Sequence, residues 1–208
     1  SVMAKAEQDE APTSAKEKLL TMGVSAEGML RDAIRALTQQ DVALAEDVIA
    51  RDDIVDAADV AIETACLRLM ATRIADPAQR RLVGGALKIA TDIERIADHA
   101  VDIAGVAKRM SGEAIYKPLV DIPRLGDIAR RMLRDALDSF VALDPALAGA
   151  VITSDDEADA LYARMRRELA AALQRDPESV IQASYLLFVA HYLERTCDHC
   201  INIAESVR

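Results

Sequence analysis

A chain of 208 residues that is 51% hydrophobic can bury a substantial core; with no tryptophan and only 3% aromatics, that core must come from Ala, Leu, Ile, Val and Met, the palette of packed helices. A formal net charge of −10 repels nucleic-acid backbones and anionic membranes, which sets both aside as direct partners. No apolar run approaches the roughly 18 residues of a membrane span, so no membrane insertion is expected, and three cysteines (Cys66, Cys197 and Cys200) suit a reducing cytoplasm better than a disulfide framework.

In chain order, residues 1–15 read as a flexible lead-in. Helices are then expected over about 16–40, 42–73, 77–110, 124–143, 145–174 and 177–207. Asp76, Asp144 and Asp176 each precede a proline, which pairs an N-cap acceptor with the residue best suited to the first helical position. Asp41 can cap a helix without that help. Pro118 and Pro123 fall in 113–123, the natural linker. No segment combines period-two alternation with β-branched residues, so no sheet is expected.

The chain repeats itself. "IATDIERIADHAVDIA" from Ile89 returns one hundred residues later as "VAHYLERTCDHCINIA" from Val189. "MLRDAIRAL" from Met29 returns as "MLRDALDSF" from Met132, and "DVALAEDVIARDDIVDA" from Asp41 as "DPALAGAVITSDDEADA" from Asp144, both at an offset of 103. The predicted fold is therefore all-α: two tandem duplicated three-helix bundles, at 16–112 and 124–208.

A helical wheel places carboxylates beside the core seam of each unit. Glu94 and Asp98, spaced i and i+4, flank the face formed by Ile89, Ile93, Ile96 and Ala100. Asp52 and Asp56 flank the face of Val48, Val55, Ile62 and Leu69, and Asp59 and Glu63 continue that stripe. Unit two repeats the layout with Asp155 and Asp159 against Glu194 and Asp198. Acids one turn apart repel unless a cation lies between them. Oxygen-only ligands would suit Fe³⁺, Mn²⁺, Mg²⁺ or Zn²⁺. The competing reading is a solvated acidic helix face.

Other constellations point elsewhere. His99 and His199 follow Glu94 and Glu194 by five residues, not the three of di-iron carboxylate bundles, so surface or inter-helix hydrogen bonds are expected of them. His191 shares the Glu194/Asp198 stripe and could join the second site, where unit one has Thr91. Cys197 and Cys200 stand where unit one has Ala97 and Ala100, so they read as core packing despite the tempting "CDHC". Cys66 also falls on an apolar face. Gly84 and Gly85 lack the strand and spacing of a phosphate loop, and no nucleophilic triad can be assembled.

"LKIATDIERIADHAVDIA", "LLFVAHYLERTCDHCINIA" and "RDDIVDAADVAI" resemble the signature helices of the PhoU family, and the likeness runs from about Lys16 onward. It implies a cytoplasmic negative regulator of phosphate uptake and phosphate-regulon signalling, acting by protein–protein contact and not as an enzyme. The implied partners are the ATPase of a phosphate ABC transporter and a sensor histidine kinase, with a homodimer left open. The implied cofactor is a multinuclear iron or zinc cluster held by Asp52, Asp56, Glu94 and Asp98 in unit one. In unit two it would be held by Asp155, Asp159, Glu194 and Asp198. Unit two departs from unit one in having Tyr162 and Arg166 in place of Asp59 and Glu63. The alternatives are a PhoU-like regulatory domain of a phosphate transporter and a metal-dependent hydrolase.

Overall fold

The computed structural model describes residues 2–72, 76–115 and 120–208, with side chains from Ser14 onward. It is helical and, among the described residues, without strands, as the sequence predicts. Unit one comprises α1 (Val2–Gln39), α2 (Val42–Ala50), α3 (Asp52–Ala71) and α4 (Pro77–Arg109). Unit two comprises α5 (Asp121–Ala142), α6 (Pro145–Arg175), a 3₁₀ turn (Pro177–Ser179) and α7 (Val180–Glu205). The first helix starts at Val2, well before the expected residue 16. Part of the expected linker, 116–119, and the end of the expected second helix, residue 73, lie outside the described residues.

Aspartates start the helices. Asp41 accepts from the Leu44 amide at 3.0 Å, Asp76 from Ala78 at 2.9 Å, Asp144 from Ala146 and Leu147 at 3.0 and 3.2 Å, and Asp176 from Glu178 at 3.1 Å. Each satisfies an amide that has no partner inside its helix. α1 and α5 also stop alike. Gln40 and Leu143 both take φ 52°, and the amides of Asp41 and Asp144 reach back 2.9 Å to the carbonyls of Ala36 and Ser139. This six-to-one closure normally uses glycine. Its presence at duplicated positions without glycine marks the two turns as copies.

The expected second helix, 42–73, is divided at Arg51. Its guanidinium bridges Asp32 of α1 at 2.7 Å and Asp47 of α2 at 3.2 Å. In unit two the corresponding residue is Ser154, whose hydroxyl only bonds back to the Ala150 carbonyl at 3.0 Å, and α6 runs unbroken. The ion pair from Arg51 to α1 coincides with the break, and α6, with serine at that position, has no break.

The units pack through α4 against α7 and α1 against α5, around a pseudo-two-fold axis. Three reciprocal contacts define it. Gly23 of α1 lies under the Leu137 side chain of α5, and Gly126 of α5 lies under Ile34 of α1, the same pair exchanged by the 103-residue offset. A Cβ at either glycine would collide with that side chain. Glu27 and Arg130, also equivalent, meet each other at 3.5 Å. His99 and His199, equivalent at offset 100, face one another with ring centroids 5.7 Å apart. One continuous hydrophobic core runs through both units, and the three cysteines lie within it.

Candidate functional site

The predicted carboxylates do converge. Val55 and Ile62 anchor the inner face of α3, and Ile89, Ile93, Ile96 and Ala97 that of α4, which turns the acidic flanks toward one another. Burial holds the Asp52 carboxyl above its usual range, reinforced by Asp56, Asp98 and Asp53. Glu94 is raised by burial and then by Asp59, to which it also hydrogen bonds, by Asp98 and by Asp56. Asp98 is raised by burial and by Asp56, against the relief of Arg95. Asp52, Glu94 and Asp98 are thus each raised by burial and by neighbouring acids, Asp56 and Asp59 among them. Glu63 is exposed at the far end of the stripe.

Unit two reproduces this cluster. Burial lifts the Asp155 carboxyl to about 6, helped by Asp159, Asp198, Asp156 and Glu194. Asp159 rises through burial and then Asp198 and Asp156, and Glu194 through burial and then Asp198. The burial pattern matches position by position. Asp52 and Asp155 are half-buried, Asp56 and Asp159 exposed, and Glu94, Asp98, Glu194 and Asp198 half-buried. His191 approaches Glu194 at 3.6 Å, the one neutral-or-cationic neighbour that unit one lacks.

A single oxygen stands out in each cluster. Oδ1 of Asp52 and Oδ1 of Asp155, equivalent atoms of the duplicated sequence, are buried without a hydrogen-bond partner. A buried carboxylate oxygen normally finds a donor, and a cation bound here would satisfy both. Oxygen donors of this kind fit iron, manganese, magnesium or zinc. As the side chains are oriented, no three His, Cys, Asp or Glu groups among the described residues stand close enough to grip a metal ion.

The sulfurs lie in the core, behind the partly exposed carboxylates. Burial raises the Cys197 thiol far above its ordinary range, and the four acids of unit two add to that. Cys200 is raised likewise by burial and by Cys197. Both are protonated thiols in the core of the metal-free protein.

Sequence reasoning expected surface or inter-helix hydrogen bonds of His99 and His199, and one forms at His199, but it did not find the partner Asp92 or the polar cluster between the units. Asp92 of α4, almost fully buried, meets His199 Nδ1 of α7 at 3.0 Å and accepts from Asn202 at 3.4 Å. His99 stacks on Tyr192 with centroids 5.9 Å apart, the dyad-related version of the same contact, and burial beside His199 pushes its pKa down to about 4. An aspartate on an otherwise apolar face of α4 was the available signal.

The raised acids carry a pH signature. For Asp155 the folded-state pKa lies near 6, above the unfolded value of about 3.9. Its contribution to stability is intact below about pH 4 and is lost as the pH rises through 6. Asp155→Asn should therefore stabilise the metal-free protein by about 1 kcal/mol at pH 7.5, a full linkage value reduced by water around a half-exposed group. The gain should vanish below about pH 4, as urea denaturation across the pH range will test.

Comparison with known proteins places this architecture. The PhoU domain matches residues 19–107 and again 122–207, the two units seen in the fold. The phosphate-specific transport system accessory protein PhoU homolog of Clostridium acetobutylicum is 38% identical over 91% of this chain and 87% of its own. The homolog of the same description from Aquifex aeolicus is 37% identical over 86% and 81%. The crystal structure of PhoU from Pseudomonas aeruginosa superimposes with a TM-score of 0.92 at 30% identity, covering 96% of each chain. Among the described residues no helix is long and apolar enough to cross a membrane. With both units matched in order and most of the chain aligned, this protein belongs to the PhoU family.

Proposed function

We propose that this chain is a cytoplasmic metal-binding adaptor of a phosphate-specific transport system, which represses phosphate uptake and phosphate-regulon signalling by contact with its partners. The relatives' description as accessory proteins of phosphate-specific transport supports the coarse role. The observation that carries the metal-binding part is the pair of equivalent buried oxygens, Asp52 Oδ1 and Asp155 Oδ1, each amid acids raised by one another. Asp52, Asp56, Glu94 and Asp98 would hold one iron or zinc cluster, and Asp155, Asp159, Glu194 and Asp198 the other. Bound metal supplies positive charge that cancels the mutual repulsion and fixes the facing flanks of the second and third helices as one surface. The transporter ATPase and a sensor histidine kinase are the partners that surface would engage.

Metal content tests this directly. Protein purified without affinity metals should carry iron or zinc by elemental analysis. Glu94→Gln with Asp98→Asn should lose the metal of unit one, and Glu194→Gln with Asp198→Asn that of unit two. Cys197→Ala should lose neither. Unchanged metal content in both double variants would return the acidic flanks to the status of solvated surface. Co-purification of the ATPase or the kinase from a native lysate tests the adaptor role separately, and tight binding to duplex DNA at physiological salt would contradict it.

A further inference from the structure

The pseudo-dyad relates two clefts, one filled and one open. The filled cleft lies where the end of α1 meets the first turn of α7. There the Gln40 side-chain amide donates to the Glu113 carbonyl and the Gln182 amide to the Ala114 carbonyl, both at 2.7 Å, so the main chain entering the linker lies across it. Applying the repeat offsets replaces Gln40 by Leu143 and Gln182 by Leu82. Both leucines line a cleft of about 480 Å³, between the end of α5, the first turns of α4 and the turn after α7. Phe140 lines it too, packed against Gly85, where a Cβ would come within 3.0 Å of the ring.

The chemistry of the two clefts differs as well. Lys16, Arg81 and Arg208 line the open one, and among the described residues no acidic side chain does. Three cations around one cleft are conspicuous in a chain of net charge −10. Lys16 is steadied by a 3.4 Å bond to the Val141 carbonyl, while Arg81 and Arg208 enter no ion pair among the described residues. The first turn of α4 adds the positive end of its helix dipole.

We propose that the open cleft docks an acidic peptide segment of a partner protein, laid where Glu113 and Ala114 lie in the filled one. The filled cleft shows that this helix geometry holds main chain by its carbonyls. Leucine in place of both glutamines exchanges amide donors for apolar contact, so the occupant needs apolar side chains. The three cations require carboxylates between them. This site is separate from the carboxylate clusters and needs no metal, so it stands or falls independently of them.

Fluorescence anisotropy with a fluorescein-labelled Asp-Leu-Glu-Ile-Asp-Leu peptide tests it on the full chain, at constant ionic strength. Saturable binding is expected, weakened about tenfold or more by Arg81→Glu and several-fold by Leu82→Gln, the residue type the filled cleft uses. Gln182→Leu in the filled cleft should leave the affinity unchanged. Both cleft positions are at least partly exposed at the start of α4, and circular dichroism will verify that the variants fold. Three results would overturn the proposal: no saturation by about 1 mM peptide, equal affinity in Arg81→Glu, or equal binding of a Lys-Leu-Lys-Ile-Lys-Leu peptide. Complete displacement by millimolar inorganic phosphate would assign the cleft to small anions and overturn it too.

Discussion

Asp92→Ala is expected to lower the free energy of unfolding by about 3 kcal/mol, the cost of leaving buried polar groups without their partner. The Asp92 side chain is only 10% exposed, and it takes both His199 and Asn202 on a single oxygen. Deleting the carboxylate strands a ring nitrogen and an amide of two half-buried side chains between α4 and α7. The dyad-related position holds Tyr192, which meets His99 by stacking instead. Urea denaturation will measure the loss. A change below about 1 kcal/mol would mean that water enters and rescues both donors.

The second large effect concerns the crossing of α1 and α5. Gly23→Val and Gly126→Val should each cost about 2 kcal/mol, because the new branched side chain must displace Leu137 or Ile34 from a filled core. The two sites share one crossing, so the double variant should depart from simple addition. Alanine makes the informative contrast. A single methyl need move only the tip of the facing side chain, and replacing a mid-helix glycine gains about 1 kcal/mol of helix propensity. The alanine variants should therefore melt close to the parent while the valine variants melt well below it. Valine variants that melt with the parent would mean that α1 and α5 separate without cost.

Much of this was legible in the sequence, and the reason is locality. Caps at Asp76, Asp144 and Asp176 are decided within four residues, and all three form as expected. The facing of Asp52/Asp56 with Glu94/Asp98 follows from helical periodicity once the apolar faces are known. The break at Arg51 was not legible, since no proline or glycine marks it and its partner Asp32 is a helix away. The dyad was hidden for a similar reason. Gly23 and Gly126 look like weak points in two helices until each is placed beneath the other's partner side chain. Asp92 was passed over because its role depends on α7, more than a hundred residues distant.

The Glu27–Arg130 contact carries a consequence for the history and engineering of the chain. Two copies of the first unit docked in this way would bring Glu27 against its own duplicate, and two copies of the second would bring Arg130 against Arg130. Like charges meet in either symmetric assembly, and only the mixed one closes with an ion pair at 3.5 Å. A chain cut within the linker is thus biased to reassemble as one half with the other, because divergence after duplication has turned identical twins into lock and key.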